Sequence, residues 1–169
     1  MPVPAPFVVS RVLNAPRALV YRVNTDPEHL AHWMGVEGFQ GIHADMDLRA
    51  GGRYHYGLEG PGGVQMWGRQ VFREIVPGEK LVYVQSFSDP DGGITRHPMA
   101  AAWPLEMLAT TTFVDAGPGS TRITIQWQPI NSDDAGNSAF DAARAGMEQG
   151  FGGMFAKLEN YLTRLAATE

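Results

Sequence analysis

The stretch SAFDAARAGMEQGFGGMFAKLENYLTRL, Ser138 to Leu165, decides how the rest of the chain is read. Phe140, Met147, Phe151, Phe155, Leu158, Leu162 and Leu165 recur at three-, four- and seven-residue offsets, and Met154 and Tyr161 widen that stripe. This is the period of one long helix with a single apolar face. The same stretch carries Gly146, Gly150, Gly152 and Gly153, and each glycine inside a helix costs roughly 0.8–1 kcal/mol relative to alanine. A helix that keeps them is expected to be approached closely there, with Gly150 and Gly153 admitting either a backbone or a ligand and Gly152 facing solvent.

Upstream of the helix the apolar period changes to two. From Phe39 to Gln128, glycine, proline and aspartate clusters punctuate the chain at residues 50–52, 60–63, 77–78, 89–93 and 116–119. Six strands fit between them, near Gly38–Leu48, Arg53–Leu58, Val64–Val76, Lys80–Ser86, Leu108–Val114 and Thr121–Gln128. Phe7–Leu13 reads as a seventh, preceding the others. Tyr54, Tyr56 and Leu58 oppose Arg53 and His55, and Ile123, Ile125 and Trp127 oppose Arg122, Thr124 and Gln126, so the sheet is expected to be covered on one face and wet on the other.

Two short helices separate the first strand from the rest. Asn14-Ala15-Pro16 starts one that runs to Val23, since proline at the first helical position lacks an amide the helix would not use. Thr25 and Glu28 have capping-box spacing, with Pro27 in the first turn and Gly35 or Gly38 as the stop. The order strand, two short helices, six strands, long helix predicts an α+β domain in which a highly curved antiparallel sheet grips one helix.

The chain's 169 residues, 44% hydrophobic and 18% charged, suit one globular domain over residues 1–169, with 1–6 as an extended tail. A net charge of -5 with scattered arginines argues against a nucleic-acid partner. The absence of cysteine excludes a disulfide framework, a thiol nucleophile and thiolate metal sites. No run approaches the roughly 18 apolar residues of a membrane span, and the N-terminus lacks the basic and apolar regions of a signal peptide, so no membrane association and a cytoplasmic location are expected.

Taken in order, Asp26-Pro27-Glu28-His29-Leu30 with Trp33 and Gly35, then Asp47-Leu48-Arg49-Ala50-Gly51-Gly52-Arg53-Tyr54, then Glu74 to Tyr83, then Met107 to Phe113, resemble a known family. The chain is similar, from about Phe7 to about Leu165, to the homologues of the activator of heat-shock protein ninety ATPase, within the SRPBCC superfamily of START and birch-allergen relatives. The resemblance implies a helix-grip fold: a seven-stranded antiparallel sheet curved around the C-terminal helix, with two small helices after strand 1. It also implies a set of activities on one fold, because superfamily members bind lipids, sterols, polyketides or plant hormones between sheet and helix, some as cyclases, while the chaperone activators bind protein.

A curved sheet and one helix leave a gap that side chains fill or a ligand occupies. Tyr54, Tyr56, Trp67, Phe87, Trp103 and Phe113, with Met147, Phe151, Met154 and Phe155 of the helix, are the candidate ligand-binding residues; Trp127, Met66, Met99 and Met107 extend the wall. The connection from Asp89 to Leu105, with His97, Met99 and Trp103, is expected to cover the cavity mouth or to meet a partner in a homodimer. His29 and His32 share a helical face, and His43, Asp45 and Asp47 share a strand face, but neither set has a third ligand at a zinc-site spacing, so no metal and no cofactor are expected. Candidate catalytic groups are Glu106, Arg69 and His97, an arginine beside tyrosines being suited to hold a carboxylate or polarise a carbonyl.

Three functions follow. A carrier or sensor of a small hydrophobic molecule requires an internal pocket rich in aromatics and methionine. A cyclase- or hydrolase-type enzyme requires an ionisable group inside it. A chaperone partner requires an exposed patch, and this reading ranks last because the eukaryotic activators carry an additional N-terminal domain.

Overall fold

Reversals of the chain at glycine-bearing turns lay the strands side by side. In the computed structural model, which describes residues 3–35 and 37–168, the elements are β1 (Phe7–Leu13), α1 (Arg17–Thr25), α2 (Pro27–Trp33), β2 (Gln40–Met46), β3 (Arg53–Glu59), β4 (Gln65–Val76), β5 (Lys80–Phe87), β6 (Glu106–Asp115), β7 (Thr121–Ile130), α3 (Asp134–Ala142) and α4 (Arg144–Ala167). The strands form one antiparallel sheet in the order β1-β7-β6-β5-β4-β3-β2. Strands β2 to β7 are a meander, and α1 and α2 carry the chain from the β1 edge to the β2 edge. The result is the expected α+β helix-grip architecture.

Register shifts between Gly41 and His43 and between Phe72 and Glu74 interrupt the pleat, and such bulges bend the strands that carry them. The bent sheet presents Leu81, Phe113, Ile123 and Ile125 to Phe155, Leu158 and Leu162 of α4, with Val20, Val23, Leu30 and Trp33 of the short helices completing the main core. Phe7, Met107, Phe140 and Met147 form a second cluster beside it. At the β2 edge a Cβ on Gly41 would fall 2.8 Å from Ala31 Cβ, so glycine is what lets α2 rest directly on β2. No helix among the described residues is long and apolar enough to cross a membrane.

Three local expectations are corrected. Thr25 does not cap α2: its hydroxyl donates back to the Tyr21 carbonyl at 2.9 Å, and Asp26 takes the capping role by accepting from the Glu28 amide at 2.9 Å. Both residues are good caps, and the one adjacent to Pro27 at the first helical position prevails. The C-terminal helix is two helices. It starts at Asp134, where the Asp133 carboxylate accepts from the Gly136 amide at 2.7 Å, and it breaks at Ala143 (φ -92°, ψ 0°). The break re-aims α3 so that Phe140, fully buried, enters the second cluster while the stripe from Met147 onward faces the main core.

The outer face of the sheet is not uniformly wet either. His55, on the face opposite Tyr54 and Tyr56, is 4% exposed, because the turn after β5 folds back over it. His55 Nε2 lies 3.2 Å from the Asp89 carbonyl, Arg69 donates to the Gly92 carbonyl at 3.1 Å, and Ser88 bridges to Ile94. Of the N-terminal tail, Met1 and Pro2 lie outside the described residues. Pro4 is buried, and Arg144 donates to the Ala5 carbonyl, so residues 3–6 are laid along the α3–α4 junction.

Candidate functional site

The main core does not fill the concavity. Between the sheet's inner face, α2 and the first half of α4 lies a cavity of about 320 Å³. That is near the lower end of the volumes that hold small molecules. Its walls are mostly apolar. Strands contribute Tyr56 and Phe87, the β5–β6 connection contributes Trp103 and Pro104, and α4 contributes Met147, Phe151, Met154 and Phe155. Trp127, Met66 and Met107 also border it, whereas Met99 is 90% exposed and takes no part. A second, shallow depression between Pro16, Arg17 and the 115–120 turn is a surface groove with few apolar walls.

Tyr54, Phe113 and Trp67 are placed differently from the other candidates. Tyr54 and Phe113, each 2% exposed, lie in the core away from the cavity wall, Tyr54 stacked on Tyr56 at 5.1 Å and Phe113 edge-on to Tyr21 at 5.4 Å. Trp67 pairs with Gly57, so its indole belongs to the outer face, where it lies over Gly57 between His43 and His55 at ring separations of 5.5 and 5.4 Å. It borders the cavity from behind the sheet.

Of the two alternatives at the helix glycines, backbone or ligand, the backbone approach is absent among the described residues. A Cβ at Gly146, Gly150, Gly152 or Gly153 would meet nothing within 4 Å, so no backbone approaches any of them. Gly150 is exposed and borders the cavity, which places it at the rim. On the same side, Lys157 Nζ donates to the Met34 and Phe39 carbonyls, both at 3.3 Å, tying α4 to the α2–β2 connection, whose Met34 and Gly35 border the cavity. Burial lowers the Lys157 pKa, and Glu37 opposes that shift.

The polar part of the wall was missed at the sequence level. Gln70 and Gln85 face inward beside Tyr56, since Tyr54 pairs with Gln70 and Gly68 pairs with both Tyr56 and Phe87. Gln70 Nε2 donates to Gln85 Oε1 at 3.0 Å, and Gln85 Nε2 donates to the Tyr56 hydroxyl at 2.7 Å. A Cβ at Gly68 would collide with that hydroxyl, so the glycine makes room for it. Tyr83 and Thr111 continue the strip, their hydroxyls 3.5 Å apart. The available signal was the alternation Leu81, Tyr83, Gln85, Phe87, which puts Gln85 on the apolar side.

Burial raises the pKa of Tyr56 and Tyr83, partly opposed by their hydrogen bonds to Gln85 and Thr111, so both remain neutral phenols. Trp127 Nε1 is buried with no hydrogen-bond partner among the described residues. No Asp, Glu, His, Lys or Arg is among the described residues that line the cavity.

The three catalytic candidates do not meet there. Glu106 opens β6 beside Met107 but on the opposite face, and accepts from Asn131 at 3.2 Å. Arg69 holds the outer turn. His97 stands behind the wall, its ring 4.6 Å from Phe87 and 6.2 Å from Trp103, with Nδ1 accepting from the Met99 amide at 3.0 Å. The two polar sets, His29 with His32 and His43 with Asp45 and Asp47, have other neighbours: His29 Nδ1 is 2.6 Å from the Tyr161 hydroxyl and His32 stacks on the same ring at 5.4 Å. Asp47 pairs with Arg49. Among the described residues no three metal-ligating side chains converge.

Burial lowers the His97 pKa below its usual 6.5. The unfolded chain therefore binds the proton more readily than the folded one, so stability contributed here is complete above about pH 6.5 and falls as pH drops toward the folded value. His97→Asn keeps an acceptor for the Met99 amide and removes the titration. Thermal melts between pH 7.5 and 5.5 are expected to show a smaller loss of Tm on acidification in the variant; equal losses would show that His97 is not the group responsible.

The comparisons with known proteins agree with this fold. A Chromobacterium violaceum protein of known structure is 26% identical, with a TM-score of 0.70, covering 93% of this chain and 96% of its own. An Arthrobacter aurescens protein solved by NMR is 21% identical with a TM-score of 0.77, covering 94% and 86%. The AHSA1 protein of Silicibacter pomeroyi is 15% identical with a TM-score of 0.71, covering 98% and 100%. No protein of curated function matches the chain. Residues 14–163, from the start of the first helix region to the last turns of α4, match one family throughout, and the chain belongs to the Activator of Hsp90 ATPase homolog 1-like family.

Proposed function

We propose that this chain is a carrier or sensor that holds one small, largely apolar molecule between α4 and the concave face of the sheet. The observation that supports the reading is the apolar cavity of about 320 Å³ where a continuous core would otherwise pack. Protein interiors rarely leave space much larger than a water molecule, because unfilled space forfeits dispersion contacts on every wall. Met147 and Met154 line the α4 side, and unbranched thioether side chains adjust to ligands of differing outline. A catalytic reading draws no support from Glu106, Arg69 or His97, which face away from the cavity or stand behind its wall.

Native mass spectrometry of the protein purified from its natural source is expected to show a retained mass that is lost on organic extraction. A thermal-shift panel of neutral aromatic and short acyl compounds on the extracted protein is expected to raise Tm in proportion to occupancy. A chain that retains nothing and responds to no member of the panel would overturn the reading.

A further inference from the structure

The cavity's polar strip specifies more than an apolar occupant. Tyr56, Gln85 and Gln70 form a hydrogen-bonded string along the inner face of β3, β4 and β5, and its two ends are unused. Gln70 donates to Gln85 and Gln85 to Tyr56, which leaves the Tyr56 O–H and the second Gln70 Nε2 hydrogen as donors and Gln70 Oε1 as an acceptor. Gln85 Nε2 also donates to the Ser86 carbonyl at 3.3 Å, which fixes its amide in this sense, because the reversed amide would set its oxygen against that carbonyl. The string therefore offers both donors and an acceptor to a ligand.

All three residues border the cavity, and none is charged. A ligand carboxylate or ammonium seated there would leave water without an opposite charge to receive it, which is strongly unfavourable. A ligand lacking any polar atom would leave the open groups of the string unmatched in a largely apolar space. Burial raises the Tyr56 pKa further above its ordinary value, so the phenol stays a hydrogen-bonding group and not an anion.

Resting on the carrier or sensor reading above, we infer that the ligand is an uncharged molecule with an apolar body and a carbonyl or hydroxyl oxygen that docks on the Tyr56–Gln85–Gln70 string. The string fixes orientation. The apolar body then extends toward Met147, Phe151 and Met154 of α4, on the opposite wall.

Three probes of one ring size separate the possibilities: 2-acetylnaphthalene, 2-ethylnaphthalene and 2-naphthoate, titrated by calorimetry into the extracted full-length chain. The ketone is expected to bind about tenfold tighter than the ethyl compound, the span of one good hydrogen bond in a partly apolar site. Naphthoate is expected to bind weakest. In the double variant Tyr56→Phe/Gln70→Met the ketone preference is expected to vanish while 2-ethylnaphthalene binds at least as tightly as before, since fewer polar groups are left unmatched, which also reports that the cavity is intact. Equal affinity of ketone and ethyl compound in the native chain, tightest binding of naphthoate, or an undiminished ketone preference in the variant would overturn the inference and leave the apolar-ligand reading standing. Failure of all three probes to bind would overturn the inference, and the carrier or sensor reading with it where the chain also retains no mass and responds to no member of the panel.

Discussion

Replacing Phe155 with alanine is expected to lower the folding free energy by about 3–5 kcal/mol, the range for phenylalanine removed from a packed interior. The side chain is 1% exposed and stands where three structures meet. It belongs to the main core with Leu158 and Ile125, its ring lies 6.4 Å from that of Phe151, and the Arg11 guanidinium sits 5.5 Å above its face while pairing with Glu159 at 3.1 Å. Alanine removes all of this at once. Because Phe155 also forms part of the cavity wall, the vacated volume joins an existing space instead of forming a sealed void. An apolar compound added in solution is then expected to restore more stability to the variant than to the native chain, since it binds only the folded state. Urea unfolding with and without 2-ethylnaphthalene measures both effects. A loss under about 1.5 kcal/mol would show that α4 collapses into the space, and a loss of the expected size with no rescue would separate the core role of Phe155 from any role in ligand binding.

The reach of the sequence ends where two local rules compete or where the third dimension re-uses a face. The order of elements and the sheet's two edges follow from periodicity, because each strand alternates and each glycine-rich cluster reverses the chain. The α2 cap does not, since Thr25 and Asp26 satisfy the same amides and only the placement of Pro27 decides between them. The break at Ala143 leaves no trace in composition, as alanine is the best helix former. What requires the break is the separate burial of Phe140 beside Phe7 and Met107, a contact between residues far apart in the chain.

The candidate site shows the same division. Tyr56 reaches the cavity as its strand alternation implies, and Met147, Phe151, Met154 and Phe155 do so as the helical period implies. Parity places Trp67 with Gly57 on the outer face, so an aromatic side chain is not by itself evidence of an interior one. Gln70 and Gln85 show the complementary case: polar residues on a half-wet sheet read by default as wet, although Gln85 alternates with Leu81, Tyr83 and Phe87, and strand register sets Gln70 on the same face as Tyr56. His55 is polar, on the outer face and still buried, because a turn from another part of the chain covers it.

Converting Gly146, Gly150, Gly152 and Gly153 together to alanine is expected to stabilise the fold by about 3 kcal/mol, the sum of four helix-propensity terms with a reduced share for Gly146 in the first turn of α4. Nothing in the packing opposes the change. Each new methyl group would meet no atom within 4 Å beyond its chain neighbours and the helix's own backbone, and all four residues have ordinary helical backbone, since none is among the glycines of positive φ. For a chain of this length the corresponding rise in Tm is on the order of 10 °C. Stability of that size left unrealised in one element argues that rigidity there carries a cost elsewhere, and stability set aside near a binding site commonly serves motion. The glycines span the part of α4 that borders the cavity, from just before Met147 to just before Met154, while the following turns through Leu158 and Leu162 are clamped in the core. Bending of this half of the helix would open the cavity without disturbing the rest of the grip. The four-alanine variant is therefore expected to take up the neutral fluorophore N-phenyl-1-naphthylamine at least several-fold more slowly in stopped-flow mixing, with equilibrium affinity little changed. A variant that gains the stability yet loads at the native rate would show that the glycines do not gate the cavity, and one that gains no stability would show that the helix is held by contacts the propensity terms do not describe.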